Sequence, residues 1–256
     1  MPQIPILIVR FKNPLESYEI PSFRGAIIQA TSESGDNLLF HNHDGDKLRY
    51  AYPLIQYKTI QHKAAILCVK DGTEQIGNFF ANNKGVINIQ NRQLELEIDK
   101  ITTTNYNIQL WDDTFYYRIN NWQALNSDNY EKYQLLEGVV AKCAFLEKIL
   151  IGNILSFLKG VGIHIENQLK CEITSLSEPK IIKVKNMKLN CFNIEFKTNI
   201  SLPDYIGIGK HSSLGLGILT KKNINEYEFK QRKNLFGCII ARHWQVLSTS
   251  RCRECG

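Results

Sequence analysis

Two histidines separated by one residue are the first side chains in this sequence that could do chemistry. His41 and His43 lie in the polar string of residues 41–46. Histidine exchanges protons near neutral pH, so a close pair can supply both a general base and a general acid. In an extended chain the two side chains would point to the same face. The string also fits an ordinary hydrophilic turn around Asp44-Gly45, and no third residue at a diagnostic spacing completes a metal site.

A glycine-rich segment lies near the end of the sequence and carries two Gly-x-Gly pairs separated by five residues. The pairs are Gly207/Gly209 and Gly215/Gly217, and the crest between them holds Lys210, His211, Ser212 and Ser213. Glycines let a backbone approach a phosphate chain closely, and their N–H groups can bind phosphate oxygens. The spacing excludes a dinucleotide fingerprint and a P-loop. The alternative is a pair of tight turns that serve only the fold.

Positive charge is concentrated in the second half of the chain. Residues 1–126 hold 12 Lys and Arg against 13 Asp and Glu, whereas residues 127–256 hold 19 against 12. The basic half includes a lysine cluster around a predicted hairpin, made of Lys180, Lys183, Lys185 and Lys188. This asymmetry suits a polyanion, since phosphate contacts supply much of the affinity for nucleic acid. A solvated lysine-rich surface would give the same composition.

The residues that position these groups alternate between strand and helix patterns. Strands are predicted over 4–11, 48–57, 64–69 and 86–89, with helices over 23–30 and 71–82, which is the β-α-β-β-α-β order of a ferredoxin-like fold. Residues 93–122 read as further strands that either extend this sheet or open a second domain. One helix is predicted over 129–159, capped by Asp128, with four more strands before the glycine-rich segment. The prediction is an α+β chain with domains at 1–125 and 126–235 and an irregular tail at 236–256.

The remaining composition argues against several classes of protein. The most apolar stretch, residues 139–161, carries several charged and polar residues and reads as a buried helix rather than a membrane span. No secretory signal is apparent at the N-terminus, so a cytoplasmic location and no membrane partner are expected. Five of the seven cysteines lie in apolar runs, and the pair Cys252/Cys255 alone is a weak zinc signal. No cofactor or metal is predicted.

The Gly-x-Gly-x5-Gly-x-Gly pattern resembles the glycine-rich loop of RAMP proteins, the RNA-binding proteins of CRISPR systems. Three further stretches resemble the repeat-cleaving branch of that superfamily: residues 21–26, residues 52–58 and residues 154–160. The similarity spans about residues 4–225. It implies tandem ferredoxin-like (RRM-like) domains with a C-terminal glycine-rich loop that binds RNA.

The resemblance also implies an activity and roles for particular residues. It implies a metal-independent endoribonuclease in which a ribose 2′-OH attacks the adjacent phosphate of CRISPR repeat RNA. His41 and His43 would be the acid–base pair, assisted by Tyr50 and Lys47, and His211 is a competing candidate at the phosphate. RNA contacts would come from the glycine-rich segment, the lysine cluster, Arg24, Lys47 and Arg49, although Arg24 could instead pair with Glu19.

Two other functions are compatible with the same residues. A non-catalytic RAMP subunit would bind guide RNA through the same loop, with the histidines as turn residues. A protein-interaction domain with no nucleic acid is the third alternative. Other CRISPR effector subunits and a homodimer remain open as partners.

Overall fold

The structure is a computed structural model of the chain that describes residues 3–32, 43–44, 47–48, 52–82 and 85–222. The first sheet has four antiparallel strands in the order β4-β5-β1-β8. Their bounds are β1 (Gln3–Pro14), β4 (Ile55–Ile60), β5 (Lys63–Val69) and β8 (Ile98–Asn107). If the four strands are numbered first to fourth along the chain, they lie side by side in the order second, third, first, fourth. This is the strand order of a ferredoxin-like sheet.

Two helices cover one face of this sheet, α1 (Ile20–Ser32) and α2 (Gly72–Asn82). Helix α1 presents Phe23 and Ile27 to the sheet and α2 presents Ile76 and Phe79, all of them buried. Phe23 meets the ring of Tyr57 edge-on at 5.8 Å between centroids. The apolar residues at helical spacing therefore do form the core that they predict.

Three expectations for the first domain need correction. Residues 86–89 form β6 (Val86–Ile89), but this strand pairs only with β7 (Arg92–Glu95) in a separate hairpin. The fourth place in the sheet goes to β8, whose ten residues are long enough to pair along most of β1. Of the predicted strand 48–57, residues 52–54 are not in a strand, and β4 begins at Ile55. Helix α1 starts at Ile20, three residues before the predicted start at residue 23, after a 3-10 turn over Ser17–Glu19.

The second sheet repeats the same spatial order. Its strands are β9 (Leu110–Trp122), β10 (Cys171–Leu176), β12 (Met187–Ile200) and β13 (Ile218–Lys221), in the order β10-β12-β9-β13. β11 (Lys180–Val184) pairs with the start of β12. The predicted α+β chain with two ferredoxin-like sheets is confirmed. Residues 201–217 stand between β12 and β13, where a second helix would complete the pattern.

The helix predicted over 129–159 is two helices, α3 (Ser127–Gln134) and α4 (Gly138–Gly160). Gly138 adopts a φ of +76°, which a right-handed helix cannot continue through. Asn126, not Asp128, caps α3 by accepting a hydrogen bond from the backbone N–H of Asn129 at 2.8 Å. Within the described ranges, no helix has the length and apolar character needed to cross a bilayer.

One apolar core joins the two sheets. Ile6 and Leu67 of the first sheet belong to the same buried cluster as Phe157 of α4 and Ile194 of β12. This face of the first sheet is therefore covered by the second domain. Side chains such as Ile6 and Leu67, which point away from helices α1 and α2, are buried there as well. The glycine-rich segment lies along this junction, since its 3-10 turn (Ser212–Leu214) packs against β4.

Candidate functional site

The glycine-rich segment, residues 207–217, is a closed loop held mainly by its own backbone and by β9. Ile208 N–H donates to the carbonyl of Gly217 at 2.8 Å, which closes the loop. Gly217 N–H donates to the carbonyl of Asn121 at 3.0 Å, and Lys210 N–H to that of Gln123 at 3.3 Å. Both ends of the segment are thus anchored at the end of β9.

Two side chains of the first domain clasp the backbone of Gly207. Gln56 Oε1 accepts from Gly207 N–H at 2.8 Å, and Tyr52 Oη donates to the Gly207 carbonyl at 3.0 Å. Gln56 Nε2 donates to Tyr52 Oη at 2.7 Å and completes the triangle. Burial raises the pKa of Tyr52, so the hydroxyl keeps its proton at any physiological pH. Residues 52–58 matter here because they fix the glycine-rich segment.

The glycines are required by packing rather than by an approaching ligand. Gly207, Gly215 and Gly217 are buried. A Cβ on Gly215 would lie 2.6 Å from Ile20 Cδ1, and one on Gly209 would lie 2.7 Å from Trp122 Nε1. A Cβ on Gly217 would collide with the carbonyl oxygen of Ile208. Tight packing therefore occupies the space that the missing side chains leave, and the RNA contacts of this segment stay a prediction.

The crest of the segment reaches solvent, together with the partly exposed Gly209 beside it. Lys210 is exposed, His211 and Ser213 are half-buried, and Ser212 is buried. His211 has a left-handed φ of 55°, and its Nδ1 lies 2.5 Å from Gln123 Oε1. With the amide oxygen as acceptor, Nδ1 carries the hydrogen and Nε2 is left with a free lone pair. Burial and the neighbouring Lys210 both lower the pKa of His211, so its ring is neutral at pH 7.

The lysine cluster forms the predicted hairpin. β11 and β12 turn at Lys185, which has a φ of 53°, and Lys183 pairs directly with Lys188 across the two strands. All four lysines of the cluster are exposed. Like charges placed opposite each other destabilise a strand pair unless an anion lies between them. The arrangement therefore favours a negatively charged partner.

Arg24 lies on α1 and does not pair with Glu19, whose carboxylate instead accepts from Arg92. Arg24 Nε is buried without a hydrogen-bond partner. Its charge lies near Tyr57, whose pKa burial raises and Arg24 lowers. Arg24 therefore faces the junction of α1 and β4, and its RNA contact stays a prediction.

The catalytic candidates fall largely outside the described residues. His41, Arg49 and Tyr50 are not among them. For His43 and Lys47 the structure describes the backbone: His43 opens β2 (His43–Asp44) and pairs with Leu48 of β3 (Lys47–Leu48). Their roles, like the RNA contacts of the loop and the lysines, remain predictions.

Sequence reasoning missed Lys58, which is fully buried on β4. Its Nζ has no hydrogen-bond partner within the described ranges, and burial lowers the pKa of the ammonium group to about 7. Successive side chains of a strand point to opposite faces, and Tyr57 points to the core between the sheet and its helices. The sequence pattern alone would therefore place Lys58 on a solvent-exposed face. That face is the one covered by the second domain.

Two family models match the chain almost end to end over the described part. The Cas6b N-terminal domain matches residues 2–107, and the Cas6b C-terminal domain matches residues 109–222. The chain belongs to the Cas6b family. The resemblance to repeat-processing RAMP proteins is thereby confirmed, and the Cas6b models meet between β8 and β9, where the chain passes from the first sheet to the second.

Solved structures agree with membership of the Cas6b family. A crystal structure of Cas6b is 27% identical with a TM-score of 0.77, covering 86% of this chain and all (100%) of that one. A CRISPR RNA processing endoribonuclease Cas6b, at 24% identity and a TM-score of 0.66 with 86% and 100% coverage, shares the fold. So does a Cas6 product complex, at 9% identity and a TM-score of 0.55 with 87% and 99% coverage.

A curated relative matches only part of the Cas6b chain. An uncharacterized protein of Methanocaldococcus jannaschii is 40% identical over 99 residues. The match covers 39% of this chain and 66% of that protein.

Proposed function

We propose that this protein is a metal-independent endoribonuclease that cleaves CRISPR repeat RNA and releases mature guide RNA. The observation that carries the proposal is membership of the Cas6b family across both domains, since a solved Cas6b of the same fold is described as a CRISPR RNA processing endoribonuclease. The exposed lysine hairpin and the crest at Lys210 supply positive charge for the phosphate backbone. A polyanionic substrate fits that surface.

The reaction is an internal transesterification. The 2′-oxygen of one ribose forms a bond to the adjacent phosphorus while the bond from phosphorus to the 5′-oxygen breaks. A base removes the 2′-OH proton and an acid returns a proton to the 5′-oxygen, so the products are a 2′,3′-cyclic phosphate and a 5′-OH. Neither a water molecule nor a metal ion takes part in this reaction.

His41 and His43 take the acid and base roles in the proposal. A histidine ring exchanges protons near neutral pH, so one neutral and one protonated ring would supply the base and the acid that transesterification needs. Tyr50 and Lys47 assist at the phosphate. A cationic group near the phosphate stabilises the charge that develops on its oxygens.

The experiment incubates repeat RNA with the wild-type protein, His41→Ala, His43→Ala and the control His164→Ala in the presence of EDTA. His164 is an exposed histidine of the second domain, outside the proposed site. Loss of a general acid or base should slow cleavage about 100- to 10,000-fold, while RNA affinity changes little. The control should cleave as the wild type does.

Each other outcome has a definite reading. Full activity in both histidine variants would refute the site assignment but keep the enzyme. Tight RNA binding without products from the wild type would support the non-catalytic RAMP subunit instead. Absence of RNA retention at any salt concentration would reject both RNA functions.

A further inference from the structure

A cavity of about 430 Å³ opens on the second domain between the two elements proposed to hold RNA. Lys210 of the glycine-rich crest and Lys188 of the lysine hairpin both line it, and helix α3 contributes Tyr130. All of its lining residues belong to the second domain and its approach, residues 123–210.

The lining has the parts that an unpaired nucleotide needs. Leu125 and Leu189 are the buried apolar residues of the lining and form its floor, and Tyr130, which is 38% exposed, lines the same cavity. The side-chain amides of Gln123 and Asn190 offer donors and acceptors at the wall. Bases stack on aromatic rings regardless of sequence, and amides read their edges.

The charge of the cavity selects an anion. Lys188 and Lys210 are both exposed and face one acidic side chain, Glu131, so the rim carries a net positive charge. Lys210 is fixed at this rim because its backbone N–H bonds to the Gln123 carbonyl at 3.3 Å. Two lysines at one cavity suit the phosphates on either side of one nucleotide.

Resting on the proposed RNA function, we propose that this cavity binds one unpaired nucleotide of the repeat. Its base stacks on Tyr130 over the Leu125 and Leu189 floor, and its flanking phosphates lie at Lys188 and Lys210. The cavity thereby sets the register of the RNA on the second domain. It joins the crest and the lysine hairpin into one continuous RNA path.

The test places 2-aminopurine at one position of the repeat RNA at a time and measures its fluorescence and affinity on binding, with EDTA present. The proteins are wild type, Tyr130→Ala, Tyr130→Phe and the control Trp111→Ala. Trp111 is a 42% exposed aromatic residue at the opposite end of β9. A variant counts as folded if its circular dichroism spectrum and its urea unfolding midpoint match those of the wild type.

The expected result is a weakening of RNA binding by about 5- to 150-fold in Tyr130→Ala, the range for loss of one stacked base. Fluorescence quenching at one position should disappear in Tyr130→Ala and persist in Tyr130→Phe and Trp111→Ala. Wild-type affinity and quenching in Tyr130→Ala would overturn the nucleotide site alone, leaving the endoribonuclease intact. A wild-type protein that binds no RNA would overturn both.

Discussion

Lys58 should make the free energy of unfolding depend on pH in a predictable direction. Its side chain is fully buried, and among the residues that the structure describes Nζ has no hydrogen-bond partner, so the charged form loses its hydration without gaining a hydrogen bond there. Burial lowers the pKa of Lys58 from an ordinary 10.5 to about 7. That difference corresponds to a cost on the order of 5 kcal/mol for holding the charged form in the folded protein.

The sign follows from proton binding in the two states. Between pH 7 and about 10 the unfolded chain holds a proton on Lys58 that the folded chain has released, so stability rises with pH, by up to ~1.4 kcal/mol per pH unit. Below pH 7 both states are protonated and the full cost is present. Lys58→Met removes the charge and fills the same space with an apolar chain.

The assay is urea unfolding of wild type and Lys58→Met at pH 6, 8 and 9.5, with Lys148→Met as the control because Lys148 is exposed on α4. Lys58→Met should be more stable than wild type by on the order of 3–5 kcal/mol at pH 6, with the gap closing as pH rises. The control should differ little from wild type at every pH. A gap that stays constant with pH, or a less stable Lys58→Met, would refute the reasoning.

Two further predictions concern the glycine-rich segment, and both are measured by urea unfolding. Gly217→Ala should destabilise the protein by more than about 3 kcal/mol, because its Cβ collides with backbone at a φ of +64°. The control Gly25→Ala adds a Cβ in open space on α1 and should raise the free energy of unfolding by about 0.5–1 kcal/mol. Equal changes in the free energy of unfolding for the two variants would contradict the packing argument. Gln56→Ala should lower the free energy of unfolding by about 1–3 kcal/mol, because it leaves the Gly207 N–H without its acceptor. An unchanged unfolding midpoint would show that this hydrogen bond does not stabilise the protein.

Local patterns were enough to predict the elements that pack within one domain. The strand at 4–11, the helix at 23–30 and the hairpin of β11 and β12 follow from apolar spacing and from turn residues. The apolar spacing and turn residues of each of these elements lie within its own stretch of sequence, so the local pattern carries the information. The division of the long helix could also have been predicted, since Gly138 lies at the break. It was missed because apolar residues continue at helical spacing on both sides of Gly138.

Contacts between distant segments could not be predicted in this way. Nothing local distinguishes β8 from β6 as the partner of β1, because pairing length decides it. The alternation at Gln56 and Lys58 indicates a solvent face, yet the second domain buries both. The glycine pattern correctly pointed to the family, but it did not show that these glycines allow close packing against neighbouring residues.

The central claim, that a ribose 2′-hydroxyl is the nucleophile, is tested most directly by removing that one oxygen. Repeat RNA carrying a single 2′-deoxynucleotide immediately before the cleaved bond should be bound normally and left intact by the wild-type protein, while a deoxy substitution one nucleotide away should be cut. Mass spectrometry of the all-ribose product should show a 2′,3′-cyclic phosphate end. Cleavage of the deoxy-substituted RNA at the same bond would contradict the account, since another nucleophile would then be attacking the phosphate.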